Sequence, residues 1–229
     1  MEITDVLNRF SKKCGETLNL LGILQFGSST YSKNPNDIDT VFFSKDKVFS
    51  TENYFTLFKI INEFEQKYKD IVFDIAGGKR KRKAKYSITI VPLQMLDLDF
   101  KIDSFFLKNL SEDKNKRILF GEDPTDIKID LKKEDIVEKL SLEINHALRN
   151  CLEEEDRSEA LYGLFKVTLR LMLINCGILK KDELLHRFKN NFNIALPNNS
   201  EEILDNNITK RDLEAVLKFS ENCLLYLSS

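Results

Sequence analysis

Several features that would narrow the class of this protein are missing from its sequence. The 229 residues contain no run approaching the ~18 apolar residues that a membrane-spanning helix needs, and the first residues lack the apolar core of a secretory signal. The four cysteines lie far apart and form no Cys-x-x-Cys pair, which argues against a structural zinc site and indicates reduced thiols. These absences predict a soluble, cytoplasmic protein with no membrane partner.

A strong net charge is missing as well. The 35 Lys and Arg residues against 37 Asp and Glu residues leave a formal net charge of -2. Overall basicity therefore gives no argument for nucleic-acid binding, and only a local basic patch could carry one. Hydrophobic residues make up 42% of the chain, which is enough for a buried core and argues against global disorder.

The first half of the chain alternates between helix-like and strand-like patterns. Residues 3–19 carry apolar side chains at helical spacing, and residues 51–69 do so again with Thr51 as the predicted N-cap. The short apolar runs 20–26 and 39–43 predict two strands between these helices.

Three more strands are predicted before residue 103. Residues 71–76, 86–91 and 96–102 are β-like, and Gly77-Gly78 is a turn signal between the first two. We therefore predict a hairpin whose tip carries the basic run 79–85.

The second half of the chain has a different pattern. Beyond Pro124 the periodicity is helical, and four helices are predicted, at 133–152, 158–176, 181–192 and 209–227. The predicted class is α+β, with a small mixed β-sheet flanked by helices in residues 1–130, followed by an all-helical bundle in residues 131–229.

The stretch from Gly27 to Asp39 reads GSSTYSKNPNDID and separates the first two predicted strands. Because side chains alternate along a strand, Asp37 and Asp39 should point to one face while Ile38 points to the other. Two carboxylates this close repel each other unless a cation lies between them. Mg²⁺ favours such hard oxygen ligands and shares them with substrate phosphates. Gly27 and Ser28 could let the backbone and a hydroxyl approach those phosphates.

This arrangement resembles the polymerase-β-like nucleotidyltransferase superfamily. The family signature is an apolar residue with Gly-Ser, a short loop and then Asp-apolar-Asp, which matches Phe26-Gly27-Ser28 and Asp37-Ile38-Asp39. The resemblance implies an enzyme that binds a nucleoside triphosphate with Mg²⁺ and transfers the nucleoside monophosphate to an acceptor hydroxyl. It also implies that Asp37 and Asp39 hold metal and that Gly27 and Ser28 hold phosphate.

The resemblance further implies a third metal-binding carboxylate on a neighbouring strand. The predicted strand 96–102 offers Asp99, flanked by Leu98 and Phe100 as in the family's third motif, and also Asp97. Asp74, within Val72-Phe73-Asp74-Ile75, is the other candidate. We expect Asp99 to complete the catalytic and metal site, with Asp97 and Asp74 left open.

Two basic groups are candidates for substrate contacts. Lys166 and Arg170 lie four residues apart in an apolar helical sequence, and relatives place basic residues of the helical domain over the triphosphate. They could equally lie on the wet face of a packed helix. The basic run is either a solvated surface or an arm that binds RNA or tRNA phosphates; it consists of Lys79, Arg80, Lys81, Arg82, Lys83 and Lys85.

The resemblance is compatible with several classes of acceptor. Relatives modify small aminoglycoside-like hydroxyls, RNA ends, or protein side chains in toxin–antitoxin systems, and the basic run favours RNA or another macromolecule. The alternative function is a non-catalytic nucleotidyltransferase-like module, such as an antitoxin or a regulatory protein that binds a protein partner. The retained Gly27-Ser28 and paired aspartates argue against that alternative, because a binding scaffold does not need them.

Overall fold

The computed structural model divides the chain into two compact units, residues Met1–Ile129 and Asp130–Ser229. Each unit contains its own set of secondary-structure elements. The residues that the structure describes are 3–31, 37–75, 86–92, 104–126, 129, 131–150, 157–177, 179–209 and 212–229.

A five-stranded mixed sheet forms the centre of the first unit. Its strands are β1 (Leu20–Phe26), β2 (Ile38–Ser44), β3 (Phe73–Ile75), β4 (Tyr86–Pro92) and β5 (Arg117–Gly121). Their spatial order is β3-β4-β2-β1-β5. The pairs β2–β4 and β3–β4 are parallel, whereas β1 runs antiparallel to both β2 and β5.

One apolar core cluster of this unit lies between the sheet and the helices α1 (Ile3–Thr17) and α2 (Thr51–Lys67). Phe10 of α1 packs on the sheet, with its ring centroid 4.1 Å from that of Phe73. Phe73 in turn stacks on Tyr86 at 4.8 Å. The core face of β2 carries Ile38 and Phe42, so the alternation of strand side chains turns Asp39 to the opposite face.

A third helix, α3 (Ser104–Glu112), follows the sheet strands and leads into β5. Its residues Phe105, Leu107 and Leu110 are buried, and the ring of Phe106 meets that of Phe26 edge-on at 5.5 Å. This contact places α3 beside the end of β1.

All the described secondary-structure elements of the second unit are helices. Its helices are α4 (Lys133–Asn150), α5 (Arg157–Met172), α6 (Lys181–Asn191), α7 (Ser200–Leu204) and α8 (Asp212–Ser228). Phe219 of α8 contacts both Phe165 and Phe188 with ring centroids 5.3 Å apart, which joins α5, α6 and α8. The α+β class with a helical second part is therefore confirmed.

Two predictions for the first unit are wrong, two elements were not predicted, and one predicted strand lies outside the described residues. Ser50, not Thr51, is the N-cap of α2, because its Oγ accepts a hydrogen bond from Asn53 N at 3.2 Å. The predicted hairpin at Gly77-Gly78 is wrong, since β3 and β4 run parallel. Both α3 and β5 were missed by the sequence patterns. The predicted strand 96–102 lies outside the described residues.

None of the helices in the described part of the chain is long and apolar enough to cross a bilayer.

Candidate active site

The centre of the candidate site is a bend where β1 ends. Gly27 has φ +73°, in the left-handed region where glycine is the favoured residue. A Cβ added at this position would lie 3.4 Å from Asp39 Oδ2. The bend therefore brings the backbone of Gly27 against the Asp39 carboxylate with no side chain between them.

Local hydrogen bonds fix the single 3₁₀ turn that follows, Gly27–Thr30. Thr30 Oγ1 donates to Gly27 O at 2.8 Å, and Ser29 Oγ donates to Phe26 O at 3.1 Å. Ser29 and Thr30 are buried, whereas Ser28 is exposed. Ser28 is thus the most exposed residue of this turn, and Gly27 is half-buried.

The two aspartates of the motif stand next to this turn. Asp39 lies on β2 opposite Phe26 of β1, and Asp37 lies one residue before β2 begins. Both are half-buried. The structure thus brings the Gly-Ser turn and the Asp-Ile-Asp segment together at one edge of the sheet, because antiparallel pairing places the end of β1 beside the start of β2.

Of the three candidates for the third carboxylate, the described residues include Asp74. Asp99 and Asp97 lie outside them. Asp74 pairs with Ser87, which pairs with Asp39 on its other side, so the three form one row across β3, β4 and β2. Asp39 and Asp74 are therefore two strand spacings apart, about 10 Å between Cα atoms.

On β4, the parallel neighbour of β2, the residue beside Asp39 is therefore Ser87 and not a carboxylate. Within the described ranges, no three His, Cys, Asp or Glu side chains come close enough to hold a metal ion. The choice among Asp99, Asp97 and Asp74 stays a prediction.

Sequence reasoning missed two residues that hold the turn. Asp113, just after α3, accepts a hydrogen bond from Gly27 N at 3.1 Å. Arg117, at the start of β5, donates through Nη2 to Thr30 O at 2.9 Å. The local sequence Ser111-Glu-Asp-Lys-Asn115 indicates a turn at most, and nothing in it points to a partner 86 residues earlier.

The hydrogen bond to Asp113 changes the expected role of Gly27. Its N–H is directed to the Asp113 carboxylate. Gly27 would therefore contribute its small size and its conformation to a phosphate site.

The remaining candidates are basic residues. Lys166 and Arg170 are on α5 in the second unit, where Lys166 Nζ lies 5.4 Å from the Tyr162 ring centroid and Arg170 is exposed. Their predicted contact with a triphosphate stays a prediction. The basic residues 79–85 lie outside the described residues.

Comparison with known proteins shows a likeness in fold. No family model and no curated protein sequence matches the chain. A solved structure of the spectinomycin adenyltransferase AAD(9) from Enterococcus faecialis, with ATP and spectinomycin, matches with a TM-score of 0.59 and 15% identity. The match covers 99% of this chain and 98% of that one. The chain thus has a nucleotidyltransferase-like fold.

Proposed function

We propose that this chain is a magnesium-dependent nucleotidyltransferase, which moves a nucleoside monophosphate from a nucleoside triphosphate to an acceptor hydroxyl and releases pyrophosphate. The observation that carries the proposal is the positive-φ bend at Gly27, which lies against Asp39. A Cβ added to Gly27 would be 3.4 Å from Asp39 Oδ2. The fold likeness to an adenyltransferase structure that contains ATP supports the same reaction class.

Gly27 and Ser28 would contact the phosphate chain. The turn is held by its own side-chain hydrogen bonds and by Arg117, so its groups are fixed before the ligand arrives. Donors that need no rearrangement stabilise developing phosphate charge more effectively than mobile ones. Transfer of this kind depends mainly on positioning and on charge neutralisation, because little covalent chemistry falls to the protein.

The donor set at this edge fits magnesium. Asp37 and Asp39 supply hard carboxylate oxygens, and the glycine bend leaves space beside Asp39 that any other side chain would fill. We assign metal binding to Asp37 and Asp39, with Asp99 as the third carboxylate. Bound magnesium would neutralise phosphate charge and stabilise the attacking and leaving oxygens.

We further propose that the acceptor hydroxyl belongs to a small molecule. The neighbouring structure contains spectinomycin, a small acceptor, alongside ATP. The earlier preference for RNA depended on a basic hairpin tip, and the parallel pairing of β3 and β4 removes that hairpin. RNA bound through residues 79–85 becomes the second acceptor to test. Lys166 and Arg170 would add positive charge over the phosphates from the helical unit.

One observation favours a second function, a non-catalytic nucleotide-binding module. Ser87 occupies the position beside Asp39 on the adjacent strand β4. If no acid from another segment reaches the pair, the site would bind a nucleotide with metal and transfer it poorly. Such a protein could act as a regulatory or antitoxin partner.

Transfer from α-³²P-labelled triphosphates tests the proposal. Each of the four triphosphates is incubated with Mg²⁺ and either spectinomycin or total tRNA, with wild type and with Asp39→Asn. We expect label to move to one acceptor class in the wild type, and Asp39→Asn to reduce the rate roughly 10²- to 10³-fold through loss of a charge-stabilising group. Asp70→Asn is the matched control, because Asp70 is exposed in the turn after α2.

The outcomes separate the two functions. Transfer by wild type and Asp70→Asn, with loss in Asp39→Asn, supports the enzyme. Equal labelling by all three proteins contradicts the assignment of Asp39. Saturable binding of the triphosphate without transfer to either acceptor supports the binding module.

A further inference from the structure

A buried carboxylate outside the recognised motif contacts the glycine of that motif. Asp113 is 7% exposed. Its Oδ2 accepts from Gly27 N at 3.1 Å, and its Oδ1 accepts from Asn115 N at 2.9 Å. Both oxygens are therefore engaged by backbone N–H groups, one local and one from a segment 86 residues earlier. A buried charge retained in this way requires such donors to offset its lost hydration.

The position of Asp113 makes it relevant to the reaction centre. The N–H of Gly27 donates to Asp113 Oδ2 at 3.1 Å. A Cβ added to the same residue would lie 3.4 Å from Asp39 Oδ2. Adding the N–Cα and Cα–Cβ bond lengths to these two distances gives an upper limit of about 9.5 Å between Asp113 Oδ2 and Asp39 Oδ2. Asp113 thus contacts the residue that lies against Asp39 of the predicted metal site.

The rest of its segment approaches the same bend. Phe106 of α3 packs against Phe26, the residue before Gly27, and Arg117 of β5 donates to Thr30 at the end of the turn. Residues 106–117 therefore contact Phe26, Gly27 and Thr30 of this segment. Of these contacts, the one made by Asp113 is to the residue whose φ of +73° defines the bend.

We propose that Asp113 is a positioning residue for the phosphate site, which holds Gly27 in its left-handed conformation and thereby sets the Gly27-Ser28 backbone against Asp39. The predicted effect on nucleotide affinity rests on the proposed function. The predicted effect on the conformation of Gly27 rests on the hydrogen bond alone. Small displacements of a positioned group lower binding and rate strongly. Loss of the contact should therefore weaken Mg·ATP binding without lowering the fraction of protein that binds.

The experiment uses two variants of the full chain. Asp113→Glu keeps the negative charge but moves the carboxylate by one methylene, so charge loss cannot explain its effect. Asp113→Ala removes the acceptor altogether. The chain has 8 glycines, so ¹⁵N-glycine labelling gives a sparse amide spectrum in which Gly27→Ala identifies the Gly27 signal. Calorimetry with Mg·ATP then gives the Kd and the stoichiometry separately.

We expect the Gly27 amide signal to move and its hydrogen exchange to accelerate in Asp113→Ala. We expect each variant that shifts this signal to raise the Kd for Mg·ATP about tenfold, equivalent to about 1.4 kcal/mol of binding free energy. A purely structural role would lower the stoichiometry and leave the Kd unchanged. Asp212→Glu is the matched control, because Asp212 is a buried carboxylate of the second unit that accepts from the backbone N–H of Thr209 and from Asn199.

Two results would overturn the inference. One is an unshifted Gly27 amide signal in Asp113→Ala. The other is a variant that shifts the signal but keeps the wild-type Kd. If wild type does not bind Mg·ATP, the proposed function fails instead, and the amide signal still decides whether Asp113 holds Gly27.

Discussion

At the scale of single residues, two different demands fall on position 27. The backbone conformation, φ +73°, disfavours any residue with a Cβ. Independently, a Cβ there would stand 3.4 Å from the Asp39 carboxylate, in the space that we assign to phosphate and metal. Gly177 shares the first demand, with φ +77°, but a Cβ added there meets nothing within 4 Å.

Comparison of Gly27→Ala with Gly177→Ala separates these demands. Each substitution should lower the free energy of unfolding by about 1–3 kcal/mol, because an L-residue is strained at these positive φ values. Only Gly27→Ala should also weaken Mg·ATP binding, because its methyl group would occupy the space beside Asp39 that we assign to phosphate and metal. Urea unfolding and calorimetry measure the two effects. Equal nucleotide affinity in both variants would mean that the bend is not part of a nucleotide site.

At the scale of elements, the start of α8 depends on one buried carboxylate. Asp212 accepts hydrogen bonds from Thr209 N at 2.6 Å and Thr209 Oγ1 at 2.9 Å, and from Asn199 Nδ2 at 2.6 Å. Burial alone raises the pKa of Asp212, but hydrogen bonds from the Thr209 N–H, the Asn199 amide and the Thr209 hydroxyl outweigh it and hold the pKa below its usual value. Asp212 therefore joins Thr209 and Asn199 at the start of α8.

Asp212→Asn should lower the free energy of unfolding of the chain by about 2 kcal/mol at pH 7, because donors would then face an amide group. A lowered pKa in the folded state stabilises the fold above the ordinary Asp pKa of about 4. The difference between wild type and variant should therefore shrink as the pH falls below that value and through the lowered pKa of the folded state.

Urea titrations at a series of pH values measure this difference. Asp182→Asn is the control, since Asp182 is exposed on α6 and its substitution should change stability by less than about 0.5 kcal/mol. A difference for Asp212→Asn that grows towards low pH would contradict the assigned hydrogen bonds.

Elements with strong local patterns could be predicted from the sequence, whereas elements defined by distant partners could not. The apolar run 20–26 is β1 as predicted, because a short apolar segment ending at glycine has few alternatives. The exposed, partly charged strand β5 has no such pattern, and it becomes a strand by pairing with β1. The hairpin prediction failed because Gly77-Gly78 marks a turn but not the direction in which the next strand pairs.

The candidate site divides in the same way. Gly27, Asp37 and Asp39 could be found because thirteen consecutive residues carry their spacing, and the structure brings them to one sheet edge. Asp113 could not be found, since its bond to Gly27 joins segments 86 residues apart. Only the folded chain brings such residues together.

At the scale of the whole molecule, each unit has a buried cysteine in its core. Cys14 lies in α1 of the first unit and Cys223 in α8 of the second. Burial raises the pKa of the Cys14 thiol far above its usual value and raises the pKa of Cys223 to about 12. Cys176, in contrast, is exposed.

Thiol labelling should therefore report opening of each unit separately. In a variant with Cys151→Ser and Cys176→Ser, we expect Cys14 and Cys223 to react with a disulfide reagent roughly 10³-fold more slowly in the native state than in urea, because only the thiolate of an opened unit reacts. Mass spectrometry of the labelled peptides assigns each rate. Labelling of either thiol at its denatured rate would show that its unit lacks the packed core described above.

The central claim is that the Gly27-Ser28 turn, Asp37 and Asp39 form a metal-dependent nucleotide site. A crystal structure of the chain with Mg²⁺ and a non-hydrolysable ATP analogue tests it most directly. We predict a triphosphate beside Ser28, with a magnesium ion bound by Asp37 and Asp39. A nucleotide bound elsewhere on the chain, or one bound here without metal contacts to either aspartate, would contradict the claim.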